Sequence, residues 1–200
     1  MTIDKEQQIL ILKKSFDDYS LISDRSWKLI KSIVQFQNLK KGEILLREGQ
    51  IPRNLHYISK GILRTYYTDD KGNIYNKNIF FEKDFAASKV SLLLSSPSHF
   101  TIEALENSLI INIDYKKYRN FISENDDLKD FYIAFIEKNW IIKKEPIEIS
   151  LVMKTATERY LFLLKKHSNI EKRIPLHHIA SHLGITPTQL SRIRKELKST

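Results

Sequence analysis

Thr188, Gln189, Ser191 and Arg192 bring hydroxyl, amide and guanidinium groups together within five residues. Side chains of these types read the edges of base pairs, and an arginine can bridge O6 and N7 of a guanine. Thr186, Arg194, Lys195 and Lys198 surround them and suit phosphate oxygens, contacts that position a protein on a duplex without reading its sequence. The charge agrees. Of the net +9, +7 lies between Lys154 and Thr200, where ten basic residues face three acidic ones, and the rest of the chain carries +2. A near-neutral body with a basic end points to a polyanionic partner, here double-stranded DNA.

The segment from Ile174 to Leu197 is built to hold those side chains out. Pro175 opens a short helix with Leu176, Ile179, Ala180 and Leu183 on its inner face. Gly184 lets the chain leave through a left-handed turn, and Ile185 plugs the corner. Thr186 is the N-cap of the next helix, Pro187 its first residue and Gln189 the reciprocal member of a capping box. Leu190, Ile193 and Leu197 form the second buried row. Two helices joined by a tight glycine turn, with small Ala180 permitting close approach, predict a helix-turn-helix.

Other chemistry finds no constellation. Without cysteine the chain has no disulfide, thiolate metal site or cysteine nucleophile. His178 and His182 have the i, i+4 spacing of a metal-binding pair, but neither the intervening glutamate of a zinc protease nor a third ligand accompanies them. They read as exposed histidines beside a DNA backbone. His56 and His99 stand alone, without the His-x-His cluster of a metal-dependent cupin. There is no Gly-x-Ser-x-Gly elbow, P-loop or dinucleotide fingerprint. The expectation is a protein that is not an enzyme and needs no metal or cofactor.

The 200 residues, 42% hydrophobic and 28% charged, suffice for a real core. Helical spacing marks Lys5–Phe16 and Asp24–Val34. From Leu39 to about Asp114, short apolar runs alternate with turn signals, four of the five glycines among them, which predicts an antiparallel sandwich or barrel. Tyr115–Ile122 and Asp127–Ile142 return to helical spacing, Pro146 should break or kink the run, and an apolar stripe continues from Ile149 to about His167. Such a helix between a β-domain and a basic module is a candidate dimer interface, with Leu128, Phe131, Phe135 and Ile142 along it. The start is not a signal peptide and no apolar run approaches the ~20 residues of a membrane span, so the expectation is a soluble cytoplasmic protein without membrane partner.

At this point the order of parts resembles the Crp/Fnr transcription regulators, over about Ile33 to Leu197. The resemblance rests on Leu39-Lys-Lys-Gly-Glu-Ile-Leu-Leu-Arg-Glu-Gly-Gln, on Leu55-His-Tyr-Ile-Ser-Lys-Gly-Ile-Leu-Arg, and on Ala156-Thr-Glu-Arg-Tyr with the terminal motif. It implies a bacterial homodimer: a cyclic-nucleotide-binding-like β-roll, a long helix pairing the subunits, and recognition helices in successive major grooves. The family's cyclic-AMP site resembles Gly-Glu-Leu after Asp-Phe, with an arginine a dozen or so residues on. Here Asp84-Phe85 is followed by Ala86-Ala87-Ser88-Lys89, and 97–104 has no arginine. A phosphate without its guanidinium loses a desolvated charge pair, on the order of 2–5 kcal/mol. Cyclic AMP is therefore not the expected ligand. A degenerate pocket would comprise Phe85, Ala87, Ser88, Lys89 and His99, open to an unknown small-molecule effector. The family usually adds a two-stranded wing, and the chain stops about where the second helix ends, so little or no wing is expected.

The resulting expectation is an α+β chain in three parts: a roll with N-terminal helices over 1–125, a connecting dimerisation helix over 126–153, and a helix-turn-helix over 154–200. The competing reading keeps the roll as a small-molecule module and gives the C-terminal hairpin to protein contacts. Steep salt dependence of DNA binding separates the two.

Overall fold

The computed structural model describes residues 4–199. Two helices lead, α1 (Lys5–Asp17), capped by the Asp4 carboxylate, and α2 (Asp24–Ser32), capped by Ser23. Eight strands follow: β1 (Val34–Leu39), β2 (Ile44–Leu46), β3 (Asn54–Lys60), β4 (Leu63–Thr68), β5 (Ile74–Phe80), β6 (Phe85–Ala86), β7 (Thr101–Ala104) and β8 (Ser108–Asp114). The β region starts before Leu39 because Val34 already pairs with Ile113. All pairings are antiparallel, in two four-stranded sheets ordered β1-β8-β3-β6 and β2-β7-β4-β5. This is the antiparallel sandwich expected from the alternating runs, in the form of the roll that the resemblance implies.

Alternation within the first sheet sends side chains into two cores. Leu55 and Tyr57 on β3, with Ile111 and Ile113 on β8, face a layer of helices that supplies Leu12, Phe16 and Ile30. Ile58 and Ile110 point the other way, into the roll, where they meet Leu63, Ile102 and Ala104. The β3–β4 turn requires Gly61: its φ is +103°, and a Cβ there would overlap Ser108.

After the short α3 (Lys89–Leu94) and the second sheet's β7 come α4 (Tyr115–Glu124) and α5 (Asp126–Ile136), a π-helical turn over Glu137–Ile142, and α6 (Lys144–Met153). Pro146 lies in the first turn of α6, where its missing N–H leaves no bond unmade. The chain becomes extended at Lys154, and Thr155 caps a new helix, α7 (Ala156–Lys166). The apolar stripe is thus broken into separate helices.

The assignment of α5 needs correction. Leu128, Phe131 and Phe135, expected at a subunit interface, are buried against α1 and the first sheet, with Phe131 stacked on Phe16. Of the four only Ile142, 65% exposed, faces outward. The exposed apolar residues of this stretch are instead Ile133, Trp140, Ile141, Ile142, Ile147, Ile149, Val152 and Met153.

α8 (Ile170–Arg173), α9 (Leu176–His182) and α10 (Pro187–Ser199) complete the chain, and no strand follows α10 among the described residues. They share a third core, in which Tyr160, Leu163, Ile179, Ala180, Leu190 and Ile193 pack together and against Ile62, Ile79 and Leu105 of the roll.

Candidate nucleic-acid interface

α9 and α10 form the helix-turn-helix. Gly184 turns the chain at φ +69°. The capping box is complete: the Gln189 N–H donates to Thr186 Oγ1 at 3.1 Å and the Thr186 N–H to Gln189 Oε1 at 2.9 Å. The box commits the carbonyl end of Gln189, leaving its amide NH2 for another partner. Leu190 and Ile193 are buried as expected, whereas Leu197 is 38% exposed.

Thr186, Thr188, Gln189, Ser191, Arg192, Lys195 and Lys198 are all exposed on α10 or its cap, so the structure brings the base-reading group together on one accessible surface. Arg194 is different. Its Nε donates to Glu171 Oε1 at 2.6 Å, and that oxygen also accepts from the buried Tyr160 hydroxyl at 2.5 Å. A guanidinium so engaged braces α10 against α7 and α8 rather than awaiting a phosphate. Arg173 is likewise held at 2.5 Å by both Glu82 and Glu106 of the roll. Arg173 and Arg194 are therefore neutralised within the chain.

The histidine pair is not an exposed fringe. Arg64, itself buried, donates from Nη1 to His178 Nδ1 at 3.1 Å and to Asn76 Oδ1 at 2.9 Å, while its Nη2 pairs with Glu103 at 2.8 Å. Asn76 completes the contact: its N–H donates to Ser181 Oγ at 2.9 Å and its amide to the His178 carbonyl at 3.1 Å. Burial, then Arg64, lowers the His178 pKa to about 4, so the ring is neutral with its proton on Nε2. His182 is lowered by burial and its Nδ1 has no partner. His167 stacks on Phe81, 3.5 Å between ring centres. No group of three or more His, Asp or Glu side chains gathers as a metal site among the described residues. Docking α9 on β5 leaves a crevice of about 740 Å³ between the β4–β5 hairpin and the start of α10, with Tyr75 and Asn76 on one wall and Thr186 and Gln189 on the other.

The five residues of the degenerate pocket do not converge. Phe85 faces the helix-side core, with Ala87 packed beside it. Ser88 is buried and its hydroxyl donates to Ser91 Oγ at 3.0 Å. Lys89 lies over Trp140 and Phe135, 4.5 and 5.7 Å from the ring centres. His99 is exposed. Lys89 is thus committed to aromatic faces on the helix side and does not replace the absent arginine inside the roll. The roll's own buried polar chain is one that sequence spacing did not single out: His56 Nδ1 donates to Asn112 Oδ1 at 2.6 Å, and the Asn112 amide to Gln37 Oε1 at 2.7 Å. Alternation on β3 and β8 puts these residues on one face, but nothing local signals that they meet.

Residues 36–125 match the family model of the cyclic nucleotide-binding domain. None of the curated proteins compared with the chain matches it. Among solved structures it is similar to FixK2 from Bradyrhizobium japonicum, at 17% identity and a TM-score of 0.68, with 84% of this chain and 85% of that one covered. It is also similar to CLP, a c-di-GMP responsive global regulator of Xanthomonas campestris, at 13% identity and a TM-score of 0.67, covering 88% and 92%. DNR from Pseudomonas aeruginosa aligns at 21% identity and 0.59, covering 98% and 89%. No helix among the described residues is long and apolar enough to cross a membrane.

Proposed function

We propose that this chain, which has the fold of the Crp/Fnr regulators and a cyclic nucleotide-binding-type domain across residues 36–125, is a sequence-specific DNA-binding transcription regulator that acts as a homodimer. The observation that carries the reading is the exposed polar and basic face of α10, held out by a capped helix-turn-helix. Thr188, Gln189, Ser191 and Arg192 read base edges, and Thr186, Lys195 and Lys198 hold phosphates. The outward apolar residues of α6 and of the π-helical turn pair two subunits; the roll takes 1–125, the connecting segment that carries this pairing surface 126–153 and the DNA-binding part 154–200. Cyclic AMP is not the effector, because no arginine stands in 97–104 and Lys89 is turned to the helix side. An effector works by binding one arrangement of the paired helices better than another, and so changing the spacing of the two recognition helices.

Selection of bound sequences from a random DNA pool, with and without cyclic AMP, tests this. The expected result is a palindrome with half-sites about one helical turn apart, unchanged by the nucleotide. No enriched sequence from a dimeric protein, in either condition, would favour the protein-interaction reading. A nucleotide-dependent motif would overturn the assignment of the pocket.

A further inference from the structure

On the helix side of the first sheet, where β3, α3, α4 and the end of α5 meet, the chain forms a half-open cavity of about 310 Å³, with the exposed Val90, Leu93 and Trp140 at its rim. It lies in the layer that holds the helix-side core, on the opposite face of the sheet from the roll interior where a cyclic nucleotide would sit. Its walls are apolar and aromatic, with Leu55, Leu92, Leu93, Tyr118, Phe135 and Trp140 among them. One charge reaches it. The Lys89 ammonium stands over the Trp140 and Phe135 rings, and among the described residues no carboxylate is within ion-pairing distance of it.

Ring faces attract a cation but do not replace a counter-ion. Burial lowers the Lys89 pKa to about 8, and the Lys77 and Lys143 ammoniums add to the fall; Asp84, bonded to the Phe81 N–H and beyond ion-pairing distance, opposes it only through space. Small-molecule sites combine largely apolar walls with a few orienting polar groups, in volumes of roughly 300–1,000 Å³. A ligand rich in hydroxyls would leave them unpaired against such walls, and a neutral apolar one would leave the ammonium as it is. One apolar body with one anionic head meets both conditions.

We propose that this cavity binds a small amphipathic monocarboxylate, its aryl or acyl body against the aromatic wall and its head paired with Lys89. Phe135, Ile136 and Trp140 belong to the run that leads into the outward apolar residues Ile141 and Ile142, so an occupant bears on the proposed pairing surface. The binding claim itself does not depend on DNA recognition.

The test is calorimetric titration of the full chain at neutral pH with 4-phenylbutyrate and with octanoate, each against its primary amide. At least one acid should bind about tenfold or more tightly than its amide; which one does so distinguishes a ring from a chain. Lys89→Met, which keeps the apolar stem, should abolish that preference. Leu93→Trp, which fills the cavity from a partly exposed wall position, should remove binding of the acid while leaving the thermal midpoint unchanged. Three results would each overturn the proposal: no binding of either acid, equal affinity for acid and amide, or a preference that survives Lys89→Met. Displacement by cyclic AMP would place the acid inside the roll, and affinity falling with protein concentration would give the cavity to a second copy; either also overturns it.

Discussion

Arg192 and Arg194 stand two residues apart on α10 and meet opposite environments, one exposed and one bound to Glu171. Arg192→Ala should relax specificity at one base position, losing about 1–3 kcal/mol there, as read by binding to single-base operator variants. Lys198→Ala should weaken all sequences alike and lower the slope of affinity against salt by about one ion. Equal and uniform losses in both variants would remove the distinction between reading and positioning. Arg194→Ala belongs to stability: loss of a charged hydrogen bond at a part-buried pair should lower it by about 1–2 kcal/mol, visible as a lower thermal midpoint without DNA. Gly61→Ala strains a left-handed backbone and forces Ser108 aside; a loss of at least about 2 kcal/mol is expected. For a domain of this size that is roughly 4–8 °C in the midpoint.

At the level of elements, α9 held on β5 is the contact with a titratable centre. His178 has a pKa of about 4 in the docked state and an ordinary value near 6.5 when released. Release therefore takes up a proton that docking excludes. Docking is unaffected above about pH 6.5 and weakens progressively as pH falls toward 4, where the ring would meet Arg64 as a second cation. Hydrogen exchange at the Asn76 amide, bonded to Ser181, should show protection falling across that window. His178→Gln, whose amide oxygen can still accept from Arg64, should flatten the loss. Equal losses in both proteins would assign the acid response to another group, His56 being the first to examine, since burial lowers its pKa to about 4 as well. This contact also marks where sequence reading ends. The helix-turn-helix was legible because Gly184, Thr186, Pro187 and Gln189 act within a few residues of one another. That α9 would spend Ser181 and His178 on β5 depends on partners 102 to 114 positions away, which no local spacing encodes. Leu128, Phe131 and Phe135 were misassigned for a related reason: a helical stripe tells that a face is buried, not whether its own chain or a partner buries it.

At the level of the whole molecule, α6 is exposed along its described length apart from the half-buried Ser150, with Ile147, Ile149, Val152 and Met153 open to solvent. An apolar helix left so bare is the signature of a surface awaiting association. The pair Ile142→Glu and Ile149→Glu should give a monomer by sedimentation while the thermal midpoint of the roll is retained. Its affinity for a palindromic site should fall at least about a hundredfold, because the second half-site no longer binds as part of the same complex. A dimer that persists in this variant would move the pairing surface elsewhere. The third core has a consequence of another kind. Ile62, Ile79 and Leu105 come from the roll, yet they complete the packing around Tyr160 and Ile179. The C-terminal part is therefore not a portable cassette. Grafted onto another sensor it would carry an apolar wound where these three side chains had been, and a working chimera would have to transplant the seat along with the rider.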